Sequence, residues 1–382
     1  MSKRIYLDNA ATTPVQKEVV EEMLPYFSEK YGNSSSLHSF GKESSDAIDV
    51  SRQKMADFFS CNEEEIFFTG SATEANNIFI QGVLKSKEDS HVITSAVEHD
   101  AVLETVKKSA KEFTVLPVDR DGLINLEELK KAIKKETALV SIMYANNEVG
   151  TIQPIEKIGK IIKEENTKRE RKILFHTDAV QAVGYLPANV DRLGVDGLTV
   201  SGHKVYGPKG VAVLYKRAGV ALESIFFGGG QEKGFRPGTY NTPLIVGLGK
   251  SFELIEKKNK KQETESLRDH LIKEVLKIEG ATLNGSHEFR LSNNANFSFS
   301  GVEGESLVML LDQKGVATST GSACSSHNLE PSHVLRALGL DDLEAHSSLR
   351  VSLGRETDKK DIDYFLDSLK SVIIRLREIS GR

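Results

Sequence analysis

Short apolar runs alternate with stretches whose apolar positions recur at helical spacing, and this repeats over most of the chain without internal repeats or low-complexity segments. That alternation predicts an α/β fold, a mainly parallel central sheet with crossover helices on its faces. Strands are expected at 65–69, 91–95, 113–117, 138–144, 173–177 and 197–201. A further strand at 210–215 follows 197–201 after the short Gly207-Pro208-Lys209 link, which predicts an antiparallel pair at one edge.

Beyond Thr242 the texture changes. A charged run at 256–265 leads into Leu267, Leu271, Val275 and Ile278 at helical spacing before Gly280, which predicts one long connecting helix with a solvated face. Near the C-terminus, Asp358 is the expected N-cap of a helix whose stripe is Ile362, Phe365, Leu366, Leu369, Ile373 and Leu376. These patterns divide the chain into a large unit, 15–260, and a small unit made of 1–14 with 261–382.

Composition narrows the function class. With 382 residues and 39% hydrophobic content the chain can bury a sizeable core. Its net charge of -5 comes from interspersed acidic and basic residues, so no basic face for nucleic acid stands out. No apolar stretch approaches the roughly 18 residues of a membrane span, and Asp8 interrupts the N-terminus before any leader-like run, so a cytoplasmic protein with no membrane partner is expected. Two cysteines, Cys61 and Cys324, are too few for a disulfide framework. Cys324 and His327 are spaced like two metal ligands, but structural zinc needs four, and no metal site is expected.

Four polar features follow predicted strands, where ligands collect in open α/β sheets. Gly70-Ser71-Ala72-Thr73-Glu74 opens a helical stretch and reads either as a plain N-cap or as a phosphate loop at a helix N-terminus. Asp178 ends an apolar strand and is either a turn residue or the acceptor for a buried cationic nitrogen. In Ser201-Gly202-His203-Lys204 the lysine is either a surface residue or a nucleophile in a partly desolvated pocket. His99 in Val97-Glu98-His99-Asp100 either caps the next helix or enters a site. Together they offer a phosphate anchor, an anion for a pyridine nitrogen and a lysine for an aldehyde, the three needs of pyridoxal 5'-phosphate. A dinucleotide oxidoreductase is disfavoured because Gly-x-Gly-x-x-Gly is absent after these strands.

The chain resembles, over essentially its whole length, the cysteine desulfurases of iron–sulfur cluster assembly, in the fold-type I, class V aminotransferase group. The matching stretches are Tyr6-Leu7-Asp8-Asn9-Ala10-Ala11-Thr12-Thr13-Pro14, Ala72-Thr73-Glu74-Ala75-Asn76-Asn77, Ala145-Asn146-Asn147-Glu148-Val149-Gly150-Thr151, His176-Thr177-Asp178-Ala179-Val180-Gln181, Ser201-Gly202-His203-Lys204 and Gly321-Ser322-Ala323-Cys324. The resemblance implies pyridoxal phosphate held covalently by Lys204, with Asp178 on the ring nitrogen and His99 stacked on the ring and assisting proton transfer. Ala72, Thr73, Ser201 and His203 would hold the phosphate, and Gln181 and Asn147 would lie near the ring oxygen. Arg350 would clamp the carboxylate of L-cysteine, with Asn147 beside it. Thr239 would reach the phosphate of a neighbouring subunit, which implies a homodimer.

Cys324 is the residue that separates desulfuration from transamination. A lone cysteine is usually an inert core residue, but Ser319, Thr320, Gly321, Ser322, Ala323, Ser325 and Ser326 would make a poor core and read as an accessible loop. The segment 327–330 resembles the longer loop of the family's housekeeping branch, which lets the cysteine move between active site and acceptor. The resemblance implies a persulfide on Cys324 that passes to an acceptor such as an iron–sulfur scaffold or a tRNA-thiolation protein, with transient ligation of a cluster as a further option. Cys61, beside Glu63, Glu64 and Glu65, is expected to have no role. A selenocysteine lyase, another class V aminotransferase, or a non-catalytic sulfur carrier would share the fold. Three positions depart from the family pattern: the Gly70-Ser71 order, Ser34, and Pro237 before Gly238-Thr239, which lacks an N–H and puts the cross-subunit contact in doubt.

Overall fold

In the computed structural model, residues 4–86, 89–258, 260–321 and 330–379 are described, so Cys324 and its segment 322–329 lie outside the described residues. The strands in chain order are β1 (Ile5–Tyr6), β2 (Ile66–Thr69), β3 (His91–Ser95), β4 (Glu112–Leu116), β5 (Thr137–Ser141), β6 (Leu174–Asp178), β7 (Gly197–Ser201), β8 (Ala212–Lys216), β9 (Ala281–Leu283), β10 (Asn294–Phe299), β11 (Val316–Ala317) and β12 (Ser348–Ser352). A seven-stranded sheet runs β2-β8-β7-β6-β5-β3-β4. Its β4, β3, β5, β6 and β7 are mutually parallel, whereas β8 is antiparallel to both neighbours.

Every residue of β3, β5 and β7 is buried, as helices on both faces of a parallel sheet require. The antiparallel pair expected at one edge exists, with Gly197–Ser201 in register with Lys216–Ala212. It is not the edge itself: β2 pairs outside β8, with Ile66 opposite Tyr215. The apolar Ile66-Phe67-Phe68 run needs a buried neighbour on that side, and β8 supplies it. The strand expected at 138–144 ends at Ser141, and residues 142–147 run on from it toward the site.

A second, three-stranded antiparallel sheet, β12-β10-β9, and the parallel pair β1-β11 share a separate apolar cluster that includes Leu7, Leu271, Phe297, Leu349 and Phe365. The C-terminal helix Lys359–Ile379 starts as expected, with Asp358 Oδ1 accepting from Asp361 N at 2.9 Å, and its stripe from Ile362 to Ile373 is buried. The single connecting helix is not found. Helices Thr242–Lys257 and Lys261–Val275 are separate, and Lys260 at the junction is outside helical geometry. Lys257, Lys258, Lys260 and Lys261 would stack like charges at three- and four-residue spacings in a continuous helix, which favours a break there.

Candidate active site

Strands β2, β3, β5, β6 and β7 run in one direction, so the residues following each arrive at the same sheet edge. Between that edge and the small sheet lies a cavity of about 590 Å³, within the range of small-molecule sites. Ala72, Thr73, His99, Asn147, Asp178 and Gln181 line it, and so do Ser201, His203, Lys204 and Arg350. Thr239 is not brought there: it is exposed and does not line the cavity of its own chain.

Asp178 ends β6 and is buried. Its Oδ2 accepts from Asn76 Nδ2 at 2.7 Å and its Oδ1 from Val180 N at 3.0 Å. Both donors are neutral, so they orient the carboxylate without neutralising it, and a buried anion of this kind favours a cation beside it. Lys204 stands in the turn Gly202–Lys204 that follows β7, half-buried, with Nζ donating to the carbonyls of Ala10 at 2.6 Å and Ala11 at 2.8 Å. Gln181 Nε2 donates to the same Ala10 carbonyl at 2.9 Å, so the N-terminal stretch 10–12 forms one wall.

The N-cap reading of 70–74 describes the structure, and residues 70–73 also line the cavity. Ser71 Oγ accepts from Glu74 N at 3.1 Å at the start of helix Ala72–Ser86, whose first-turn residues Ala72 and Thr73 line the cavity. Gly70 is not in a left-handed turn, and the one close neighbour of its Cα face is the end of the Glu74 side chain. A Cβ there would come within 2.9 Å of Glu74 Oε2, which accepts from Gly70 N at 2.8 Å. His203 lies with Nδ1 3.1 Å from Thr12 Oγ1, and burial, aided by Lys204 and Lys209, pulls its proton affinity down to about 4. It is therefore a neutral hydrogen-bonding group at neutral pH.

His99 both caps a helix and lines the cavity. Its Nδ1 accepts from Ala101 N at 3.0 Å at the start of Asp100–Ser109, which places the proton of the neutral ring on Nε2. Arg350 projects from β12, 2% exposed. Its Nη2 donates to Asp8 Oδ1 at 2.8 Å, and Nη1 donates to the carbonyls of Asn147 at 3.0 Å and Gly321 at 3.1 Å. Nε is buried with no hydrogen-bond partner among the described residues.

Several site residues carry no signal of their own in the sequence. Asp8 and Asn76 sit inside the matching stretches yet become visible only when the residues after β1 bridge to the end of β12, Asp8 opposite Ser352, and Asn76 on helix Ala72–Ser86 reaches Asp178 at the end of β6. Glu98 and Glu148 are fully buried in the cavity wall, and burial raises the proton affinity of both, Glu98 to about 8. Cys61 is half-buried, and desolvation followed by Glu65 pushes its thiol up to about 12, so it is no thiolate.

The comparisons with known proteins decide what this cavity belongs to. The aminotransferase class-V family matches residues 5–365. This chain belongs to that family. It is 50% identical over 388 residues to the cysteine desulfurase IscS of Dictyoglomus turgidum, covering 100% of this chain and 97% of that one. It is also 48% identical to the IscS of Methanosarcina thermophila, over 99% and 94% of the two chains. Among solved structures a NifS-like protein superposes with a TM-score of 0.91 at 38% identity, covering 98% of this chain and all of the other. The structure of SspA in complex with cysteine follows at TM-score 0.80 and 37% identity, covering 92% and 99%. The fold is the fold-type I architecture of these enzymes, and the cofactor of the family is pyridoxal phosphate. The residues present fit it, with an uncompensated buried carboxylate, first-turn N–H groups and a lysine on one cavity wall.

Proposed function

We propose that this chain is a pyridoxal-phosphate-dependent cysteine desulfurase that converts L-cysteine to L-alanine and takes up the sulfur as a persulfide on Cys324. The observation that carries the reading is the meeting, in one cavity, of Lys204, Asp178, His99 and a buried arginine with an unmet donor. The full-length relatives named cysteine desulfurase favour it over a selenocysteine lyase or a transaminase.

When bound, the cofactor supplies a conjugated ring that takes up the electron pair released at the substrate Cα. The residues of the chain do the rest. Ala72, Thr73, Ser201 and His203 would hold the phosphate, Asp178 would keep the ring nitrogen cationic, and Gln181 and Asn147 would lie near the ring. Lys204, whose Nζ donates to the Ala10 and Ala11 carbonyls, would hold the cofactor and would serve as the base at the substrate Cα. Arg350 orients the substrate carboxylate through its unmet donor edge, with Asp8 holding the guanidinium in place. His99, with its proton on Nε2, can donate or retrieve a proton over the ring. Cys324 as thiolate attacks the substrate sulfur: an S–S bond forms, the C–S bond breaks, and its electron pair stays with the carbon skeleton, which leaves as alanine after protonation.

The working unit we propose is a homodimer in the cytoplasm, divided at about residue 260 into large and small units, that passes sulfur to an acceptor protein such as an iron–sulfur scaffold. The exposed side chains of Leu24, Phe27, Tyr31, Leu37 and Phe40, with the Tyr31 and Phe40 rings 5.9 Å apart, support a second copy docking there. Thr239 then serves the partner's phosphate. Among the described residues no helix is long and apolar enough to cross a membrane. The test is to incubate the purified, cofactor-loaded protein with L-cysteine and DTT. Alanine and sulfide in equal amounts are expected, with both lost in Lys204→Ala; alanine release undiminished in that variant overturns the proposal.

A further inference from the structure

Glu74 stands in the first turn of helix Ala72–Ser86, where a negative charge suits the helix but competes with any anion that the same turn is to receive. Its carboxylate folds back on the turn itself. Oε2 accepts from Gly70 N at 2.8 Å, and a Cβ on Gly70 would stand 2.9 Å from that oxygen. Gly70 lines the cavity and Glu74 does not, so the carboxylate lies one glycine behind the wall.

Arg236 pairs with that carboxylate. Its Nε donates to Glu74 Oε1 at 2.6 Å and its Nη2 to Oε2 at 3.4 Å, a fork on both oxygens. Nη2 is also 3.7 Å from where a Gly70 Cβ would be, so guanidinium and carboxylate both lie against the backbone of the turn. Arg236 does not itself line the cavity, and it comes from the segment that follows the turn Gln231–Gly234, 162 positions along the chain from Glu74. The lysine and arginine side chains that do line the cavity are Lys204, Lys209 and Arg350. With Lys204 as the tether and Arg350 committed to Asp8 and the substrate carboxylate, Lys209 alone of these is left for a phosphate that carries about two negative charges. A bare carboxylate behind Gly70 would repel such a group at short range, and its ion pair with Arg236 cancels that repulsion.

We propose that Arg236 is a positioning residue of the cofactor site: by neutralising Glu74 and holding it behind Gly70, it lets the turn 70–73 receive a phosphate dianion. This rests on the reading that Ala72 and Thr73 hold the cofactor's phosphate. The side chains of Arg236 and Glu74 are 27% and 20% exposed, so the pair can be broken without stranding a fully buried charge.

The experiment titrates the cofactor-free protein with pyridoxal 5'-phosphate and, separately, with pyridoxal, which lacks the phosphate, and reads each Kd from the absorbance of the bound form. In Arg236→Gln the uncovered Glu74 charge should weaken pyridoxal phosphate about tenfold and pyridoxal by less than about twofold. Adding Glu74→Gln to that variant removes the charge and keeps a carbonyl oxygen for Gly70 N, and should return pyridoxal phosphate to within about threefold of wild type. An arginine that merely shaped the turn, or that bound the phosphate itself, would leave the double variant as weak as the single one, and that result overturns the inference. Equal weakening of the two ligands, or wild-type binding in Arg236→Gln, overturns it as well. Should Arg236→Gln fail to fold, Glu74→Gln carries the test: the unpaired Arg236 should tighten pyridoxal phosphate relative to pyridoxal, and an unchanged or lower ratio refutes the inference. Thr73→Val separates the two levels. If it leaves the ratio of the two ligands unchanged, the placement of the phosphate fails and the inference with it; if it lowers that ratio and Arg236→Gln does not, the inference alone has failed.

Discussion

Asp178→Asn tests the electrostatics of the site with little change in shape. In the native protein two donors converge on this carboxylate, Asn76 Nδ2 at 2.7 Å and Val180 N at 3.0 Å. An asparagine offers one oxygen, which can keep the Val180 N–H. Its amide nitrogen then faces Asn76, whose Oδ1 is buried and unpartnered and can accept after the Asn76 amide turns over. The hydrogen bonds are conserved in number, so the cost in stability should stay near about 1 kcal/mol, the worth of one neutral hydrogen bond. What disappears is the charge. Losing one partner of a desolvated, hydrogen-bonded charge pair costs about 2–5 kcal/mol, and at about 1.4 kcal/mol per tenfold that is a fall of roughly 30- to 5,000-fold in kcat/KM. The assay is alanine release at saturating cofactor, alongside urea unfolding of the cofactor-free proteins. Activity within threefold of wild type would refute the assignment of Asp178 to a cationic nitrogen. A large loss of cofactor-free stability would refute the hydrogen-bond exchange.

Two further outcomes follow from the geometry. Asp8→Ala strips the counter-ion from a guanidinium that is 2% exposed. Breaking such a buried pair should destabilise the protein by about 2–4 kcal/mol in urea unfolding, with part recovered on saturation with L-alanine, whose carboxylate can take the vacated place. His203 has its proton affinity held near 4 against an ordinary 6.5, so it favours the folded state above pH 6.5 and that contribution is lost as pH falls from 6.5 toward 4. His203→Gln should flatten the pH dependence of unfolding in that window by at most about 1.4 kcal/mol per pH unit. The slope that remains comes from groups such as His176, whose burial holds it near 3.

The strands were legible because their apolar runs are short and bounded by turn chemistry: β3 and β7 fall on the expected residues, and β2, β4, β6 and β8 lie within two of them. Strand order was not legible, since nothing local to 66–69 states that it pairs outside β8 and so completes the sheet. The break between Lys257 and Lys261 was hidden because the charged run keeps a helical composition on both sides, and repulsion among its lysines acts only once the helix is formed. Lys204, Asp178 and His99 were legible because each follows a strand at the sheet's ligand-binding edge. Asp8, Asn76, Glu98 and Glu148 were not, because their importance arises from contacts between segments 100 or more residues apart or from burial alone. His99 shows why two readings of one residue need not compete. Its Nδ1 caps the helix while the rest of the ring borders the cavity.

The central claim is that a lysine-tethered cofactor releases sulfur from cysteine to one thiol of this chain. Its most direct test is a single turnover: cofactor-loaded protein is mixed with L-cysteine in the absence of reductant, quenched, digested and weighed peptide by peptide. The account predicts that the peptide bearing Cys324 gains one sulfur atom, that DTT removes it, that alanine appears in equal amount, and that the Cys61 peptide is unchanged. Alanine formed with no added sulfur on Cys324, or equal turnover in Cys324→Ser, would contradict it.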